Sequence, residues 1–218
     1  MTEEMPIWRQ ALKDDQHPLN RAAWMLFSRD FDVASAGSRL EAQKEDVIGF
    51  CTVLLDDRDL YPVSALGGGN APVHAVQLLC MWKVDATLPR LLQILDEESW
   101  DTIIYGTTAD YIEAFGTALV EPLLEMATRK TGDQEQVAIA GTLADAAPGD
   151  ERTVAFVRKI FDSRKQDFEI TYMSENVLAA DPEGGVKWLQ NRLQTHKYSK
   201  DVRKKIEQNI ANFKAGKF

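Results

Sequence analysis

Cysteine, histidine, positive charge and long apolar runs are all scarce in this chain, and each scarcity removes a class of function. Two cysteines occur in 218 residues, Cys51 and Cys80, inside the apolar stretches IGFCTVLL and VQLLCMW. Thiols in such surroundings behave as small hydrophobes, so neither a disulfide framework nor a paired metal-ligand set is expected. The three histidines, His17, His74 and His196, lie far apart, and no metal-site spacing links them. No metal and no cofactor are expected. No apolar run approaches the ~20 residues that cross a bilayer. The opening MTEEMPIWRQALKDD is acidic and lacks the basic-then-apolar order of a secretory signal. The expected location is the cytoplasm, with no membrane partner.

Lys and Arg number 25 against 34 Asp and Glu, a net charge of −9. Nucleic-acid binding needs clustered cations to neutralise phosphates, so it is disfavoured. The deficit is uneven. Residues 195–218 carry seven Lys and Arg against two acids, leaving 18 basic and 32 acidic residues before them. That pattern suits a solvated terminal helix lying on acidic neighbours, or a docking tail for an acidic partner.

Alternation with the strand period is also missing, whereas i, i+3, i+4, i+7 patterns recur along the whole chain. They predict helices over 4–15, 18–31, 40–57, 71–83, 87–97, 100–115, 117–130, 133–147, 150–163, 168–180, 183–195 and 199–213. Short breakers separate them: HP at 17–18, SAGS at 35–38, GGGN at 67–70, TG at 131–132, PGD at 148–150 and DPEGG at 181–185. The expected fold class is all-α.

The helices repeat. Leu88, Val120, Val154 and Val186 stand in register at steps of 32, 34 and 32 residues. Three residues on come Leu91, Leu123, Val157 and Leu189, and seven on come Leu95, Ala127, Phe161 and Leu193. These rows share one helical face. Each such helix is preceded by another, in PVHAVQLLCMW, YGTTADYIEAF, EQVAIAGTLADAA and EITYMSENVLAA. A helix pair recurring about every 33 residues marks an α-solenoid, whose units bury their stripes only by stacking.

APVHAVQLLCMWKVDATLPRLLQILDEES resembles a HEAT-like repeat of the bilin-lyase (PBS-lyase) subtype, with its apolar first helix, tight turn and second helix of xxLPxLLxxL character. GTALVEPLLEMA at 116–127 repeats the second-helix pattern, with Pro122 near the place of Pro89. The likeness covers roughly residues 70–195 and weakens after 130, where DERTVAFVRKIF and EGGVKWLQNRL lack the proline. It implies one α-α superhelix over 1–218, a HEAT-like solenoid of stacked antiparallel helix pairs. Residues 1–66 would form an atypical N-terminal helical unit and 70–195 about four helix pairs. Residues 196–218 would form a basic capping helix, with Ser199 as N-cap and Val202, Ile206, Ile210 and Phe213 as its apolar edge. Such repeats imply protein–protein scaffolding. Bilin lyases and HEAT-like glycosylases of alkylated DNA share the architecture, but a glycosylase would carry a basic concave stripe.

The glycine stretch LGGGNAPVHA lacks the GxGxxG spacing and preceding strand of a dinucleotide loop, and the Lys of a Walker loop. It reads as a joint. Gly67–Gly69 supply unusual dihedrals, Asn70 or Ala71 opens a helix, and Pro72 suits its first turn. His74 falls at the positive end of that helix and prefers to stay neutral; it bonds locally or contacts a ligand.

Two polar rows accompany the apolar ones. Gln93, Glu125, Lys159 and Asn191 come five residues after the anchors, and Asp96, Thr128, Asp162 and Gln194 come eight after. The resemblance places second helices on the concave side, so these eight are the expected groove for another protein. Trp82, Trp100 and Trp188 pack between units or anchor a partner, with Trp100 the candidate contact; Tyr105, Tyr111 and Tyr172 share that ambiguity. The carboxylates of DDRD (56–59) and DEES (96–99) sit at helix ends, where nothing sets an acid against a base across one pocket. No catalytic residue is assigned. The expected role is a non-enzymatic protein-binding scaffold.

Overall fold

A computed structural model describes residues 5–217. Among them every regular element is helical, and no strand forms. No helix among these residues is long and apolar enough to cross a membrane. The chain divides into two compact units, residues 1–114 and 115–218.

The first unit contains α1 (Ile7–Lys13), α2 (Asn20–Phe27), α3 (Val33–Leu40), α4 (Lys44–Asp56), α5 (Asn70–Met81), α6 (Leu88–Glu97) and α7 (Ile103–Tyr111). Helix α5 is its centre, packing against α2, α3, α4 and α7. The sequence explains why: Ala71, Ala75, Val76, Leu78, Leu79 and Cys80 cover most of its circumference, and all are buried. A helix apolar on every side must be surrounded. Helix α6 carries a single apolar stripe, Leu91, Ile94 and Leu95, and packs on α7.

One predicted breaker is helical. SAGS at 35–38 lies inside α3, where Ala36 and Gly37 are buried. The Asp32 carboxylate starts this helix by accepting a hydrogen bond from the Ser35 N–H at 2.7 Å. The small residues then form its contact face toward α5. A β-carbon on Gly37 would stand 2.0 Å from Met81 Cε. The glycine lets two helices approach rather than ending one. Elsewhere helix ends differ by a few residues. Helix α2 stops at Phe27, since Ser28 is extended (φ −71°, ψ 148°). The helix predicted from 100 begins at Ile103, leaving Trp100 in the preceding turn.

The glycine joint behaves as its composition predicts. Gly67, Gly68 and Gly69 have φ of +75°, +72° and +79°, a left-handed run closed to β-carbon-bearing residues without strain. Asn70 then opens α5.

The second unit contains α8 (Val120–Arg129), α9 (Asp133–Ala146), α10 (Glu151–Ser163), α11 (Asp167–Ala180), α12 (Gly185–Thr195) and α13 (Lys200–Lys214). Helices α9 and α11 are buried on most sides and pack against each other. Helix α10 packs on both, and α12 and α13 pack on α11. Small residues in α9 permit the close approach: a β-carbon on Gly141 would meet the Tyr172 hydroxyl at 3.2 Å. Val157, Phe161, Met173, Leu189 and Ile206 join one apolar cluster, held by side-chain burial worth about 1.5–3 kcal/mol for each large residue.

Ser199 caps α13 as predicted, accepting a hydrogen bond from the Val202 N–H at 3.2 Å. Val202, Ile206 and Ile210 are buried along its edge, and Phe213 packs partly against the same cluster. The edge also contains Asn209, buried and donating to the Ser174 hydroxyl at 2.9 Å and the Thr171 carbonyl at 3.2 Å. A buried amide needs such partners, and these pin α13 to α11.

Candidate functional site

The four second helices α6, α8, α10 and α12 separate their faces at matching offsets. Leu91, Leu123, Val157 and Leu189 are each 0% exposed. Leu95, Ala127, Phe161 and Leu193 are buried too, while of the anchors Val120 is buried and Leu88, Val154 and Val186 are half-buried. Seven of the eight candidate groove residues are exposed: Gln93, Glu125, Thr128, Lys159, Asp162, Asn191 and Gln194; Asp96 is half-buried. Each helix therefore presents a polar outer face opposite its core stripe.

Some of these side chains are already engaged. Gln93 accepts from Arg90 at 2.9 Å and donates to Glu97 at 2.7 Å. Asp162 holds Arg192 in a two-pronged pair, with Nε–Oδ1 at 2.8 Å and Nη2–Oδ2 at 2.6 Å, tying α10 to α12. Arg192 also lies 4.5 Å from the centre of the Trp188 ring, and Arg158 lies over the ring at 5.3 Å while pairing with Asp181. Trp188 is thus clasped by two guanidiniums, each held by a carboxylate. The sequence predicts packing or anchoring for Trp188 but contains no local sign of this clasp, because its members come from two helices, α10 and α12, and the turn at Asp181. Beside it, Lys187, Asn191 and Gly184 line a cleft of about 390 Å³. A larger cleft of about 620 Å³ lies between the turn at Pro148–Gly149 and the turn at Asp181–Glu183.

His74 and Trp100, the two candidate ligand contacts, stand in opposite environments. His74 is 8% exposed, whereas Trp100 is 49% exposed. The His74 ring stacks on Phe31 at 4.1 Å, and its Nδ1 lies 2.7 Å from the Leu26 carbonyl. A carbonyl only accepts, so Nδ1 carries the proton. Burial pushes the imidazole pKa below its ordinary value, and the bond to Leu26 opposes this. Of the other tryptophans, Trp82 lies beneath Lys44 Nζ at 5.4 Å. Trp8 is buried and donates to Asp57 at 2.8 Å.

Another cleft, about 480 Å³, was not legible in the sequence. It forms where Tyr61, Pro62 and Val63 meet Ile103 and Ile104, with Arg58, Glu98 and Asp101 on its rim. Val63 is an apolar residue within the irregular stretch YPVSAL, and that was the one available sign; Ile103 lies in the helix predicted over 100–115 and begins α7.

Several titratable groups depart from their ordinary behaviour, each for a local reason. Burial pushes the Cys80 thiol up to about 12 and Cys51 higher still, which keeps both as inert thiols. Burial likewise raises Tyr198. The Asp150 carboxyl is lowered by its bond to Arg152 and by its place as N-cap of α10. Among the described residues no group of three His, Cys, Asp or Glu is placed to hold a metal.

No family model, no curated protein and no solved structure matches this chain.

Proposed function

We propose that the chain is a non-enzymatic interaction module built of HEAT-like helix pairs, in which the outer faces of α6, α8, α10 and α12 receive another protein. The observation that carries the reading is the separation of faces: buried rows at three and seven residues from each anchor, polar rows at five and eight. Such sameness at steps of 32 and 34 residues is what a stacked repeat requires, because each unit buries its stripe against the next. Within the first unit α5 packs on α7, and within the second α9 packs on α11; this stacking of consecutive first helices supports the reading. The second helices carry the polar rows as ridges on their exposed faces.

The test is affinity capture from native lysate at physiological salt, followed by binding measurements on the captured protein. Gln93→Lys, Glu125→Lys, Lys159→Glu and Asn191→Glu alter the ridge at exposed positions. Each is expected to weaken binding about tenfold without changing the circular dichroism. Unchanged affinity in all four variants eliminates the ridges as the binding face.

A further inference from the structure

We propose that the cleft formed by residues 61–63 and the turn from α6 to α7 is a docking site for a partner protein's segment in which a large apolar side chain is flanked by lysine or arginine. None of its lining residues belongs to the polar rows, so the proposal stands apart from the ridges.

The apolar half of the argument is exposure. Val63 is 69% exposed and Ile103 60%, though both line one cleft with Pro62 and Ile104. Leu66 at 56% and Trp100 at 49% flank them in the chain. Large apolar side chains gathered in a concavity mark an interaction site, whereas scattered ones do not. The Tyr61 wall of the cleft is already fixed, since its hydroxyl donates to the Leu55 carbonyl at 2.6 Å. An entering side chain therefore meets a formed pocket, and little ordering opposes binding.

The charge of the rim selects the flanks. Two carboxylates, Glu98 and Asp101, stand on the rim against one cation, Arg58, and Arg58 is already paired with Glu97 and Glu98. Arg90 pairs with Asp56 at 2.9 Å. Both arginines are thus engaged, and the rim keeps a surplus of negative charge. Residues 1–114 as a whole carry 19 acids against nine Lys and Arg. An acidic segment would be repelled, while a cation beside Asp101 or Glu98 gains attraction.

The test titrates the full chain against fluorescein-labelled peptides at physiological salt, read by anisotropy. The probes are Lys-Arg-Leu-Leu-Lys-Arg, the same peptide with serines for leucines, and Glu-Asp-Leu-Leu-Glu-Asp. The basic leucine peptide is expected to bind saturably, with the other two about tenfold weaker or worse. Ile103→Ser together with Val63→Ser, and separately Asp101→Lys, should each weaken it by about tenfold with unchanged circular dichroism. These positions are exposed, so the fold tolerates the changes. Equal binding of the serine peptide, unchanged affinity in the variants, or no saturation by about 1 mM would overturn the proposal. Self-association in sedimentation velocity that Ile103→Ser abolishes would assign the cleft to a second copy instead, and would overturn it too.

Discussion

Replacing the three joint glycines by alanine, one at a time, separates two costs that usually arrive together. All three have φ between +72° and +79°, so each alanine incurs the left-handed penalty of about 1–2 kcal/mol. Their surroundings differ. A β-carbon on Gly68 meets nothing closer than the Val63 carbonyl at 3.9 Å, so Gly68→Ala should cost that penalty alone. On Gly67 it would stand 3.0 Å from Phe27 Cδ1 and 3.3 Å from the Phe27 carbonyl oxygen. The ring can yield, but the carbonyl yields less. On Gly69 it would stand 2.9 Å from the Tyr61 carbonyl oxygen and 3.2 Å from that of Pro62. Both are backbone, and forcing them apart adds about 1–3 kcal/mol, as overpacking does. The expected order of destabilisation is Gly68→Ala, then Gly67→Ala, then Gly69→Ala at about 2–5 kcal/mol. Gly68→Asn should cost less than Gly68→Ala, since asparagine tolerates left-handed backbone. Equilibrium urea unfolding followed at 222 nm measures the series. Equal costs at all three positions, or Gly68→Ala as the worst, would refute the reasoning.

The face assignment of α8 is checked by a neighbouring pair. Leu123 is 0% exposed, so Leu123→Ala should cost about 2–5 kcal/mol. Glu125→Ala, two residues on and exposed, should stay within about 0.5 kcal/mol of the parent; similar midpoints for both would place the stripe wrongly. His74 predicts a pH dependence. Its folded pKa lies below the ordinary value because burial disfavours the cation. The unfolded chain therefore binds the proton first as pH falls through about 6.5. Stability is full above that value and falls below it, until the folded imidazole itself charges. His74→Gln keeps a donor for Leu26 and removes the titration, so thermal scans should show its deficit relative to the parent shrinking as pH drops. A deficit that grows toward acid would contradict the assignment.

The second helices were readable because their chemistry is local. Leu91 and Leu95 against Gln93 in α6, or Val157 and Phe161 against Lys159 in α10, announce a buried and a solvated face through spacing alone. The first helices were readable as apolar but not as central, since nothing in PVHAVQLLCMW says that four helices surround it. SAGS misled because its residues favour turns in isolation, while here Asp32 caps the helix and Gly37 makes room for Met81. Tertiary approach outweighed local preference. The Trp188 clasp and the Val63–Ile103 cleft were hidden for a different reason: both are made of residues distant in the chain, and only folding brings them together.

The placement of Trp188 gives the protein an optical property of its own. Trp8, Trp24, Trp82 and Trp100 all belong to residues 1–114, and Trp188 is the one indole in residues 115–218. Arg158 and Arg192 both lie over its ring, and Phe161 meets it edge-on at 5.3 Å. With the other four replaced by phenylalanine, fluorescence would report the melting of the second half by itself, while circular dichroism follows both. The difference between the two curves would show whether the halves lose their structure in one event or in two.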